Sequence, residues 1–134
     1  MPQGDRTPAE KAAFVHMLGN VNSLYLGCSV LILLDLSYLS RFWTQFEAWL
    51  SMQTPSPSGL SPSKEDAQRF KIVTVLNGNS IAERILKDMW VSATPDEAYE
   101  VLSKEDVTVT NASDKSRQLP KLKALDAEVK RVMA

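Results

Sequence analysis

One cysteine, Cys28, leaves the chain unable to form an internal disulfide, which excludes a secreted scaffold stapled by cysteines. Cys28 stands in an apolar stretch and reads as a small buried residue. Histidine is equally scarce. His16 is the only one, with no cysteine or carboxylate cluster at ligand spacing, so no metal site is expected. Ser23, Ser29, Ser37 and Ser40 have no other histidine to pair with, which disfavours a Ser-His-Asp hydrolase. Long apolar runs are missing too. The run from Leu24 to Leu34 is half the ~20 residues a membrane helix needs, and Asp35 ends it. No signal peptide is visible, because the first residues are polar and include Asp5, Arg6, Glu10 and Lys11. The reading is therefore a cytoplasmic protein without a membrane partner, in which the Asn111-Ala112-Ser113 sequon is a chance match. An excess of one charge is also lacking: 15 basic and 16 acidic residues give a formal net charge of −1. Lys115, Arg117, Lys121, Lys123, Lys130 and Arg131 lie among Asp114, Asp126 and Glu128, so they read as a solvated helix face rather than a nucleic-acid footprint.

What the chain does have is apolar material. Its 134 residues are 44% hydrophobic, enough for the core of a single domain or domain fragment spanning 1–134. Residues 1–6 read as a loose tail. Thr7-Pro8-Ala9-Glu10 has the chemistry of a helix start: a capping hydroxyl, proline at the first helical position and a glutamate to complete the box. Phe14, Met17, Leu18, Val21 and Tyr25 follow on one face, and Gly27 is placed to end the helix in a left-handed conformation.

Val30-Leu31-Ile32-Leu33-Leu34 is a continuous apolar run between Ser29 and Asp35. It is too short for a free-standing helix and suits a parallel strand covered on both faces. Asp35 then lies at the carboxyl end of the strand, where open α/β sheets place ligand-binding groups; the plainer reading is a helix cap. A second helix is expected from Tyr38 to Met52, capped by Ser37, with Leu39, Phe42, Trp43, Phe46, Trp49 and Leu50 as its stripe. Residues 54–64 form a Pro/Ser-rich mobile loop. Phe70 to Leu76 reads as a strand and Asn77-Gly78-Asn79 as a turn. That turn places backbone N–H groups where an anion would bind, but it lacks the lysine of a P-loop and reads as a plain turn. Ser80 and Thr94 open two further helices with capping boxes. Asp106 to Thr110 alternates like a short edge strand, and Leu119, Leu122, Leu125, Val129 and Val132 mark a last helix with Pro120 in its first turn. The alternation predicts an α/β fold: a small, mainly parallel three-stranded sheet flanked by helices.

The run Val30 to Asp35, followed by Tyr38, Ser40, Trp43 and Glu47, resembles the fourth strand and following helix of TIR-like domains. The resemblance covers Val30 to Met52 and implies the C-terminal half of a flavodoxin-like TIR fold. Thr44 stands where a cysteine often follows the tryptophan, and the regions that normally precede this segment are replaced by one helix. The resemblance implies an incomplete protein-interaction and signalling module, acting through a protein partner or self-association and using no cofactor. Phe42, Phe46 and Trp49 crowd this helix and read plainly as core; because the apolar arc is wider than one sheet face needs, they are also the candidate interaction residues. The alternative it implies is a NAD glycohydrolase with NAD as substrate, Glu47 as catalytic carboxylate, and Asp35, Tyr38, Ser40 and Trp43 around the substrate. The chemistry suits a carboxylate, because cleaving the nicotinamide–ribose bond builds positive charge on the sugar.

Overall fold

The structure, a computed structural model, describes residues 7–133, and the backbone alone at 14, 15, 18 and 19. The expected loose tail and the side chains of Phe14 and Leu18 lie outside the described residues. Helix α1 (Pro8–Gly27) starts on the anticipated capping box, with Thr7 Oγ1 accepting from Glu10 N and Glu10 Oε2 accepting from Thr7 N. Of the expected face, Val21 and Tyr25 are half-buried and Met17 is exposed, while Asn22 and Leu26 beside them are buried. The helix ends without a left-handed glycine, as Cys28 takes an extended conformation and sends its N–H to Leu24 O. Cys28 is exposed rather than buried.

Strand β1 (Val30–Leu34) forms as its apolar run predicts. Asp35 then caps a 3₁₀ turn, Leu36–Ser40, accepting from Tyr38 N and from the hydroxyl of Ser37, the residue expected to cap. Arg41 is extended, so the expected helix from Tyr38 is interrupted and α2 spans only Phe42–Ser51. Phe42 and Phe46 stack at 5.9 Å between ring centroids, and Phe46 meets Trp49 at 6.5 Å. The indole N–H of Trp49 donates to Ala93 O at 2.9 Å.

The region expected to be a mobile loop is instead an antiparallel hairpin, β2 (Gln53–Ser56) with β3 (Gly59–Pro62). Its stabilising contacts are remote in sequence. Gly59 sits at φ 105°, where a side chain would meet Asp126, and Asp126 Oδ1 accepts from Leu60 N at 2.8 Å. Lys130 pairs with the same carboxylate at 2.7 Å. Strand β4 (Phe70–Thr74) pairs in parallel with β1, Ile32 opposite Ile72. A parallel pair needs a crossover, and the stretch from Asp35 to Arg69 provides it.

Helix α3 (Ser80–Trp90) is capped by Asn79, whose side chain accepts from Ala82 N, one residue before the serine expected to do so. Helix α4 (Pro95–Leu102) has the full Thr94–Glu97 capping box. Residues 106–110 do not form a third strand. They make one isolated parallel bridge, Thr108 to Arg41, so the parallel sheet has two strands among the described residues. Helix α5 (Ala112–Met133) begins eight residues before Pro120, which is therefore interior and not in the first turn. Pro120 is exposed, and with no N–H to donate it leaves Ser116 O without its intrahelical bond. Asn111 accepts from Ser113 N and Oγ at the helix start. The basic residues of α5 are used locally. Lys115 Nζ donates to Lys104 O and Val107 O, Lys123 lies 4.3 Å over the Tyr99 ring, and Arg131 pairs with Glu128. The fold is thus mixed α/β, a two-stranded parallel sheet and a separate antiparallel pair among helices. No described helix is long and apolar enough to cross a membrane.

Candidate functional site

A cavity of about 340 Å³ lies beside β1. It is walled by Tyr25 from the end of α1, by Asp35, Ser37 and Tyr38 from the turn after β1, by Arg41, and by Thr44 and Glu47 from α2, with Val30 to Leu33 along one side and Val75 at the end. Local chemistry explains how these groups converge. Asp35 stops the strand by capping the turn, and the extended Arg41 resets the chain before α2. Thr44 Oγ1 donates to Tyr38 O at 2.8 Å, which ties the turn to the helix.

Of the residues picked from sequence, Asp35, Tyr38 and Glu47 share this cavity. Ser40 and Trp43 do not. The Ser40 hydroxyl donates to Ser37 O, and its carbonyl accepts from Thr108 N. Trp43 packs edge-on to Phe42 and lines a different cavity, of about 390 Å³, with residues 108–110. The break at Arg41 removes Ser40 from the helical register that would have aligned it with Glu47. Phe42, Phe46 and Trp49 are fully buried, so they are core residues and not a displayed interaction surface. Tyr25 and Arg41 were not anticipated. Tyr25 read only as one apolar position on α1, and no local signal ties it to a strand edge.

Burial raises the Glu47 carboxyl above its ordinary value, and a hydrogen bond from the Tyr25 hydroxyl draws it back in part. Tyr25 is pushed up to about 12, first by burial and then by the Glu47 charge. Tyr38 moves further in the same direction for the same reasons. Asp35 is held below its usual range, chiefly by the Ser37 hydroxyl. The cavity therefore contains one carboxylate kept ionised by hydrogen bonds and one that resists ionisation. Glu47 has no ion-pair partner among the described residues.

The raised acid has a consequence for stability. Between the ordinary pKa of Glu47 and its raised value, the folded chain holds the proton that the unfolded chain releases, so stability falls as pH rises through that window. Glu47→Gln removes the cost of ionisation. Its melting temperature should exceed that of the unsubstituted chain at about pH 7, and the advantage should vanish below about pH 4, where the glutamate is protonated in both states. An advantage of equal size at both pH values would mean that the carboxyl is not shifted.

Comparison with protein-family models, with curated proteins and with solved structures yields no match in any of the three.

Proposed function

We propose that the chain is a TIR-like protein-interaction and signalling module, resembling part of a flavodoxin-like fold, that works through association and performs no chemistry of its own. The observation that supports this reading is the open face of its parallel sheet. Leu31 is 61% exposed and Leu33 55%, and Val73 on the paired strand is exposed on the same side. Parallel sheets are ordinarily covered on both faces, so a bare one calls for a partner. The test is binding of an apolar fluorescent dye to the native protein, compared with Leu31→Lys/Leu33→Lys. The native chain should enhance the dye's fluorescence. The double variant should lose most of that signal while keeping its far-ultraviolet dichroism. A native chain that leaves the dye dark has a closed face, and the reading fails.

The second reading is a NAD glycohydrolase. It draws on the position of Glu47, a half-buried carboxylate that shares a cavity with Asp35 and two tyrosines. In it, Glu47 would stabilise charge developing on the ribose, and Tyr38 and Asp35 would bound the substrate. Release of nicotinamide from NAD by the purified protein, lost in Glu47→Gln, would establish this activity and displace the first reading. Absence of turnover in a folded sample would remove it.

A further inference from the structure

We propose that the open edge of β1 is a docking site for an extended, basic peptide strand supplied by a partner protein. This rests on the interaction reading and specifies the partner's chemistry.

The first observation is the hydrogen-bond parity of β1. Val30 N donates to Arg69 O, and Leu34 O accepts from Val75 N. In a parallel ladder alternate residues bond to the same neighbour, so Ile32 faces β4 as well. The N–H and C=O groups of Leu31 and Leu33 are left pointing to the other edge, where no strand among the described residues pairs with them. The cavity agrees with this direction. Four consecutive residues, Val30 to Leu33, line it, and successive side chains of a strand point to opposite faces. A cavity touching all four runs along the backbone edge.

The edge also has none of the features that deter pairing. Edge strands are commonly blunted by lysine, proline, a bulge or an inward charge. Val30 to Leu34 has none of these, and its residues are all apolar. A row of unpaired amides and carbonyls on such a strand is completed by another extended backbone, the chemistry of strand addition.

Charge selects the occupant. A strand laid against β1 would point alternate side chains toward α2, where Glu47 stands without an ion-pair partner among the described residues. The opposite alternation would lie beside the exposed Leu31 and Leu33. Lysine or arginine facing α2 and apolar residues on the other side satisfy both. Arg41 lines the same cavity but makes no ion pair with Glu47, and its charge favours the ionised form of Asp35. A second copy of this chain fits less well. It would present β1 to β1, a strand of apolar residues alone, and bring no cation to Glu47.

The experiment uses a short synthetic peptide alternating valine and lysine, its valine–glutamate counterpart, and the valine–lysine peptide N-methylated at alternate amides. Hydrogen exchange at Leu31 and Leu33 is followed by NMR, with the Ile32 amide, already paired with β4, as the internal reference. The valine–lysine peptide should slow exchange at Leu31 and Leu33 by about tenfold or more at saturation and leave Ile32 unchanged. The glutamate and N-methylated peptides, and the valine–lysine peptide on Glu47→Gln, should bind about tenfold more weakly, or about 1.4 kcal/mol. Three results would each overturn the proposal: no slowing with the valine–lysine peptide, equal binding of the N-methylated form, or slowing that grows with protein concentration when no peptide is present. The last would assign the edge to a second copy. Any of them with dye binding intact would leave the interaction reading standing, so the two failures are separable.

Discussion

Trp49→Ala should remove about 3–5 kcal/mol of folding stability, the range for truncating a fully buried tryptophan or phenylalanine. Trp49 is entirely buried and ends the aromatic ladder that Phe42 and Phe46 build along α2. It also joins α2 to the segment between α3 and α4 through its bond to Ala93 O, so truncation leaves both a cavity and an orphaned carbonyl. Small domains have only about 5–15 kcal/mol in total, so the variant should be partly unfolded at modest urea concentrations. Trp49→Phe isolates the polar part and should cost about 1–3 kcal/mol. Trp43→Ala is the control, because Trp43 is only half-buried and should cost clearly less. Urea titrations followed by far-ultraviolet dichroism decide the matter. Equal costs at 43 and 49 would contradict the assigned core. The result also bears on function. Loss of binding after substitution at Phe42, Phe46 or Trp49 would report unfolding, so tests of association belong at Leu31 and Leu33.

How far the sequence could be read follows from the range of each interaction. β1 was legible because a run of five apolar residues between Ser29 and Asp35 has few other uses. Its open face was not, since coverage depends on what packs against it. The starts of α1 and α4 were legible because a capping box closes within three residues. The start of α3 was off by one because Asn79 and Ser80 both have capping side chains. The hairpin at 53–62 was illegible for the opposite reason. Proline and serine mark a loop locally, and the partner that orders Leu60 is Asp126, 66 positions away. In α1 the apolar periodicity pointed to Met17, yet Met17 is exposed and Asn22 is buried, because burial depends on which remote elements the helix meets and not on hydropathy alone.

The candidate site divides along the same line. Asp35, Tyr38 and Glu47 were found because a strand end and the helix after it are near in sequence. Placing Ser40 with them assumed one unbroken helix, and the extended Arg41 breaks it. Trp43 shares α2 with Glu47 but packs edge-on to Phe42 and lines the second cavity. Tyr25 joins the cavity only because α1 returns its end to the edge of β1.

The other large effect is expected at Gly78. Gly78→Ala should destabilise the chain by about 3 kcal/mol, at the upper end of what overpacking costs. The reason is space and not dihedral angle, since Gly78 is not in the left-handed region. A methyl group there would run into the carbonyl oxygen of Leu34 and come within 3.0 Å of Val75 O. Both atoms are backbone and cannot swing aside. Leu34 O accepts from Val75 N at 2.9 Å, and Asn77 Oδ1 accepts from Leu36 N at 3.1 Å, so moving the turn would unzip the carboxyl ends of β1 and β4 together. Those ends position Asp35 and Val75, so the cavity should loosen with them. Leu76, two residues earlier, makes the contrast. It sits at φ 52° and is 92% exposed. Leu76→Gly relieves about 1–2 kcal/mol of left-handed strain against about 0.5–1 kcal/mol of added backbone entropy, so it should be neutral or slightly stabilising. Opposite signs at two positions of one turn, read as urea midpoints, would show that close approach governs Gly78 and dihedral strain governs Leu76. A neutral Gly78→Ala would mean that the turn does not approach Leu34 closely, and that β1 and β4 are joined less tightly at the end that carries the site.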